Sequence, residues 1–279
     1  MAWAMTLAVL LVLMAAGPAA AAAESTALDE AVGVEESWTE YESDDVTVRS
    51  LVFIPKRDGR YPGIYYIFGR PGLDGRLKGE LRRLAARGFA VYVAEWQQPR
   101  MIPVMIPTAD PPEVRGDIER GFDHFLQYFG SHPKVRLDKA CIVGTVRGAY
   151  YAFLLAAHRR EVACLVAYHA VIMDHALPEA AQHTQYLPDV QELKVPVLMM
   201  VGDKDFEVRQ AQSLRVAEYL KEKGRPLEFV VYPGAQRAFD FRIVNRTVAD
   251  EMARLDSMNR TVRFLNKHLG AEGHVASCE

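Results

Sequence analysis

From Asp45 onward, short β-rich runs alternate with amphipathic segments. The runs are Val46 to Ile54, Gly63 to Phe68, Ala90 to Glu95, Cys141 to Thr145, Val162 to His169, Val195 to Val201 and Leu227 to Tyr232. Several are apolar almost throughout, as strands buried on both faces of a parallel sheet are. Between them, apolar residues recur at helical spacing. Leu77, Leu81, Leu84 and Ala85 make one stripe, closed by Gly88. Val114, Ile118, Phe122, Phe125 and Phe129 make a second, and Met252, Leu255, Val262, Leu265 and Leu269 a third. Strands alternating with helices predict right-handed crossovers and an α/β fold, a mostly parallel, doubly wound sheet with helices on both faces. No internal repeat or Pro/Gly/Ser-rich linker interrupts the pattern, so residues 45–270 read as one domain. Residues 24–44 are acidic and without periodicity, which predicts a flexible lead-in, and 271–279 read as a tail.

The first 23 residues stand apart from this pattern. Trp3 to Ala16 is apolar except for Thr6, Gly17-Pro18 follows, and Ala19 to Ala23 completes a stretch with no charge before Glu24. An apolar core, a helix breaker and small residues before a cleavage point make a secretory signal peptide. Residues 1–23 are therefore expected to be removed, leaving an exported chain, periplasmic or secreted, with no membrane contact after cleavage. The alternative is an N-terminal membrane anchor, because Trp3 to Ala23 is long enough to span a bilayer. The sequons at Asn245 and Asn259 matter only in a eukaryotic secretory route.

Composition narrows the function classes. Half the 279 residues are apolar and a quarter charged, which excludes disorder and fibrous repeats. The 33 basic and 36 acidic residues leave a net charge of −3, without the basic excess of a nucleic-acid binder. Three cysteines cannot build a disulfide framework. Cys141 and Cys164 read as buried packing residues, a lateral disulfide being the lesser alternative, and Cys278 lies in the tail.

In an open α/β sheet, ligands bind beyond the carboxyl ends of the strands. Three strand-to-loop junctions carry the chemistry there. Gly144-Thr145-Val146-Arg147-Gly148 runs from a strand straight into a helix over Ala149 to Ala157, the nucleophile-elbow pattern in which two glycines permit a tight turn. Gly202-Asp203-Lys204-Asp205 follows an apolar strand, where the acid of a catalytic triad sits. Tyr232-Pro233-Gly234-Ala235, then Arg237-Ala238-Phe239, follows the last strand, where the histidine would come. Nucleophile, acid and base occur in that order in α/β-hydrolases.

With these landmarks, the chain resembles the dienelactone hydrolase family of the α/β-hydrolase fold over roughly Val46 to Leu269. The resemblance implies a small esterase-like or lactonase-like domain with a Cys or Ser nucleophile, an Asp and a His. It implies no cofactor. The residues depart from it at two of the three triad-equivalent positions, Val146, Asp205 and Arg237. Val146 is a hydrocarbon with no lone pair for attack on a carbonyl. Arg237 stays protonated and cannot accept a proton. Nucleophilic catalysis needs both an activated nucleophile and its base, so no triad is intact.

No substitute nucleophile is evident. The Thr145 hydroxyl should face away from the elbow pocket, because successive strand side chains alternate. Cys141 lies five residues upstream, about 16 Å away along a strand. Arg237 and Asp205, if brought together, can form a carboxylate–guanidinium pair, or Arg237 can present its charge to an anionic ligand. The Phe68-Gly69-Arg70-Pro71-Gly72 turn occupies the oxyanion-loop position, where the backbone N–H groups of Arg70 and Arg147 could donate. His169, Asp174 and His175 fall beyond a strand end, as metal ligands or a relocated acid–base pair, though no third metal ligand stands at a recognised spacing. No metal site is therefore assigned. His124 and His158 read as surface residues.

Two functions follow. The first is an exported, catalytically degenerate protein of this family, a pseudoenzyme, binding a small anionic or ester-like molecule or a partner. The second is an active carboxylic ester or lactone hydrolase that uses other residues. Oligomeric state is not legible in the sequence.

Overall fold

The computed structural model describes residues 33–69, 72–102, 110–172, 187–242 and 244–270. The expected signal peptide, Arg70, Asp174, His175 and the tail with Cys278 lie outside the described residues. Eight strands form one sheet: β1 (Val34–Ser43), β2 (Val46–Pro55), β3 (Tyr61–Ile67), β4 (Ala90–Ala94), β5 (Val135–Thr145), β6 (Val162–Tyr168), β7 (Val197–Lys204) and β8 (Leu227–Gln236). Their order is β1-β2-β4-β3-β5-β6-β7-β8. β1 and β2 are antiparallel to each other, β2 is antiparallel to β4, and every other pair is parallel.

Among the described residues, four helices connect strands and a fifth follows the last: α1 (Gly75–Ala86), α2 (Glu113–Ser131), α3 (Arg147–His158), α4 (Glu207–Glu222) and the closing α5 (Val248–Leu269). Adjacent residues of β5 show that both faces are covered. Gly144 lies against Ala149 and Ala152 of α3, whereas Val143 looks onto the side of α1 and α5. Glu80 of α1 and Arg254 of α5 join those two helices by a 3.1 Å ion pair. On the other face the α2 stripe buries Phe122, Phe125 and Phe129 against Tyr65 and Tyr92, with ring centroids 5.5 to 5.9 Å apart. Aromatic burial of this kind contributes through area and edge-to-face geometry together. Among the described residues, no helix is long and apolar enough to cross a membrane.

Three expectations need correction, and one helix was not anticipated. Residues 34–43 are not a flexible lead-in but the edge strand β1, paired along its whole length with β2, so the folded unit begins before residue 45. The inward positions of β1 are Ser37, Thr39, Tyr41 and Ser43, and three small polar residues hide the period of two. Cys141 and Cys164 are not separate packing residues. They are register partners on β5 and β6, their Cα atoms 4.7 Å apart and their sulfurs bonded. That separation is within disulfide range, and pairing register rather than chain spacing sets it. His124 is half-buried, with Nδ1 2.7 Å from the Tyr92 hydroxyl and its ring against Tyr41. Lastly, α4 carries no legible apolar stripe, because Gln212 and Ser213 share its buried side with Val216 and Leu220. His158, by contrast, is exposed and pairs with Asp189.

Candidate functional site

The crevice is built where β5, β7 and β8 end. β5 stops at Thr145, and Val146 turns the chain into α3 with φ 51° and ψ −113°. Such a backbone is sterically costly for a β-branched residue, of order 1–3 kcal/mol. Two close approaches impose it. A Cβ on Gly148 would lie 2.1 Å from the Ile67 carbonyl oxygen, and one on Gly144 would lie 2.7 Å from the Ala149 Cα. Hydrogen bonds fix what the glycines permit: the Val146 N–H donates to the Tyr168 carbonyl (2.9 Å), and the Val146 carbonyl accepts from Ala149 and Val171 (both 3.2 Å). The Val146 side chain is buried, its Cβ facing Gly69.

The neighbours of Val146 are tied to other groups. The Thr145 hydroxyl accepts from the N–H of Gly69 at 3.2 Å, the loop residue that the Val146 Cβ also faces. Arg147 opens α3, so its N–H belongs to the first-turn donors of that helix. Its side chain folds onto Asp110, Nε 2.5 Å from Oδ2, and the Tyr151 hydroxyl donates to the same oxygen at 2.7 Å. This pair is nearly sealed from solvent and anchors the start of the helix.

β7 ends at Lys204, and Asp205 follows. Its Oδ1 accepts from the Phe206 N–H at 2.7 Å, while Oδ2 is buried with no hydrogen-bond partner among the described residues. β8 ends at Gln236, and Arg237 follows. Asp250 holds this corner, accepting from the Gln236 N–H (2.6 Å), the Gln236 side-chain amide (2.9 Å) and the Thr247 N–H (2.9 Å). Burial alone would push the Asp250 carboxyl up, but these hydrogen bonds win and hold it below the ordinary aspartate value.

Arg237 does not form the ion pair with Asp205 that the sequence allowed. Among the described residues no carboxylate lies within 4.0 Å of its guanidinium, which instead lies 5.4 Å from the centre of the exposed Phe206 ring. Burial pushes the guanidinium down from its ordinary value, and the nearby charge of Asp205 opposes that shift. Among the described residues, one corner thus holds a carboxylate oxygen without a hydrogen-bond partner and a guanidinium without an ion pair. The fold brings their loops together, but the side chains do not meet.

The model of the dienelactone hydrolase family matches residues 48–269. The chain belongs to the dienelactone hydrolase family. A Bradyrhizobium protein named "Probable 2-oxo-3-(5-oxofuran-2-ylidene)propanoate lactonase" is 25% identical over 226 residues, 77% of this chain and 87% of that protein. Among solved structures, a dienelactone hydrolase-like promiscuous phosphotriesterase from metagenomic libraries superposes with a TM-score of 0.64 at 16% identity, over 85% of this chain and 99% of its own. A fungal esterase from Rhizomucor miehei gives 0.65 at 15%, over 91% and 90%. At these identities the structural likeness concerns the fold.

A second polar pair of this dienelactone hydrolase relative lies beside the elbow. His169, the residue after β6, has φ 47° and is fully buried, with Nε2 3.0 Å from Asp240 Oδ1 and Phe239 edge-on at 4.4 Å. Its Nδ1 has no partner among the described residues. Asp240, Asp110 and Asp250 were not legible as site residues. Asp240 and Asp110 meet His169 and Arg147 across 71 and 37 residues, which no local motif marks, whereas Asp250 closes the capping box of α5 with Thr247 and its link to Gln236 spans 14 residues. Among the described residues, no group of three His, Cys, Asp or Glu is placed to hold a metal ion.

Proposed function

We propose that this chain is an exported, catalytically silent member of the dienelactone hydrolase family whose crevice binds a small anionic or ester-like molecule. The observation that carries this reading is Arg237. It stands at the base position of the fold, holds its positive charge at neutral pH, and lies over Phe206 with no carboxylate in ion-pair range among the described residues. At the elbow, Val146 offers a hydrocarbon where attack on a carbonyl needs a lone pair. Arg237 is therefore a recognition group, and the helix start at Arg147 adds the positive end of α3 to the same crevice. The lactone and ester substrates in the relatives' names fit the proposed ligand class. Export is supported by the apolar leader before Glu24 and by the Cys141–Cys164 bond, because disulfides persist in oxidising compartments.

The test is ligand stabilisation. Titration with small mono- and dicarboxylates should raise the Tm of the protein, and Arg237→Ala should abolish the rise. An equal rise in both proteins, or none in either, overturns the reading. One observation favours a second reading, that of an ester hydrolase with a relocated centre. His169 couples a buried imidazole to Asp240 beside the elbow and leaves one ring nitrogen unpartnered among the described residues. That reading requires turnover that disappears with His169→Ala.

A further inference from the structure

Among the described residues the sheet ends at two edges, β1 and β8, and they are protected very differently. β1 carries Glu35, Glu36, Glu40 and Glu42, and pairing two β1 strands about Trp38 would set Glu36 against Glu40 of the other copy. Like charges directly opposite each other are destabilising, so this edge rejects itself. β8 reads Leu-Glu-Phe-Val-Val-Tyr over 227–232, with a single charge, and Val231 is 43% exposed. Of the eight large apolar side chains exposed among the described residues, six (Phe206, Leu214, Val231, Val244, Val248 and Met252) belong to β8 or to the chain flanking it. A long, mostly apolar edge with one charge near its start is a template for strand pairing.

The backbone of β8 is set for that pairing. The Pro226 carbonyl accepts from the Val197 N–H at 3.0 Å, so the even-numbered residues of β8 turn their backbone groups toward β7. Leu227, Phe229 and Val231 consequently turn theirs outward, and Pro233, with no N–H, ends the usable stretch.

We propose that β8 is the self-association surface of this protein, two copies pairing β8 with β8, antiparallel about Val230, into one continuous sheet. In this register Phe229 exchanges both backbone hydrogen bonds with Val231 of the partner subunit, and the two side chains form a cross-strand apolar pair. Glu228 falls opposite Tyr232 of the partner subunit. The seam gains no bare charge, because Lys267 lies 3.9 Å from Glu228, and Arg260 lies 2.5 Å from Asp256, the residue that accepts from the Tyr232 hydroxyl. A second copy fits this edge because the edge complements itself. The arrangement is independent of what the crevice binds.

The experiment measures solution mass and crosslinking on the purified protein. Light scattering should give twice the chain mass, and Val231→Lys should raise the dimer dissociation constant more than about tenfold while circular dichroism stays unchanged. In a Cys278→Ser background, Val230→Cys should oxidise to a covalent dimer, because non-hydrogen-bonded antiparallel partners hold their Cα atoms about 4.5 Å apart. The same background with Trp38→Cys on β1 should not. A monomer at about 100 µM, or a dimer that survives Val231→Lys without a Val230→Cys crosslink, overturns the proposal. If Val231→Lys fails to fold, the Val230→Cys crosslink decides alone.

Discussion

At the elbow, Val146 keeps φ at 51° although its isopropyl group has no chemistry to present, because Gly148 lies under Ile67 and Gly144 under Ala149. At the corner after β8, Asp250 holds Gln236 as firmly, yet among the described residues Arg237, one residue further, has no carboxylate in range and Asp205 leaves an oxygen without a partner. Backbone geometry at both ends is enforced by packing and buried hydrogen bonds, so it persists whatever side chain sits there. The complementarity of reactive side chains has no such support. Only selection for chemistry would maintain it, and in the proposed reading that selection is absent.

The largest effect should come from breaking the elbow. Gly148→Ala puts a methyl group 2.1 Å from a carbonyl oxygen, so α3 or β3 must move. We expect a loss of more than about 4 kcal/mol in denaturant unfolding, or no folded protein. A loss under about 1 kcal/mol would show that the close approach is not what imposes the turn.

The corner's backbone should be nearly as sensitive. Asp250→Ala leaves the Gln236 and Thr247 donors unpaired and should cost about 3 kcal/mol at neutral pH. Its folded carboxyl lies below the ordinary aspartate value, so its contribution is present above about pH 4 and is lost as the pH falls through the folded value. The wild-type protein should therefore lose more stability than the variant between about pH 6 and pH 3. Parallel pH profiles of the two proteins would contradict this assignment.

Side chains in the crevice should behave differently. Arg237→Met removes a desolvated cation that has no ion-pair partner among the described residues and keeps its apolar stem, so stability should rise by about 0.5–1 kcal/mol. A fall of that size in thermal unfolding would mean that Arg237 is a structural group. Val146→Gly should change stability least, within about 1 kcal/mol, because the strain it releases offsets the apolar burial it removes.

What the sequence makes legible follows the same division. Glycines bracketing Val146, an aspartate after one apolar strand and Arg237 after the next are local signals, and local rules place all three at strand ends. The edge strand β1 was missed because Ser37, Thr39 and Ser43 supply its inward side with polar atoms instead of hydrocarbon. The disulfide, the Arg147–Asp110 anchor and the His169–Asp240 pair depend on which segments become neighbours across the sheet. No chain spacing encodes that. Helix α4 escaped because its buried side mixes glutamine and serine with valine and leucine, leaving no periodic contrast.

The central claim, that the elbow survives without its chemistry, is tested most directly by turnover of an activated ester such as 4-nitrophenyl acetate. The wild-type protein should hydrolyse it no faster than buffer alone or its own His169→Ala variant, while Val146→Cys combined with Arg237→His should exceed both, because Asp205 can orient the new imidazole. Wild-type turnover that survives Val146→Ala and Arg237→Ala and disappears with His169→Ala would contradict the account and place an active centre on the His169–Asp240 pair.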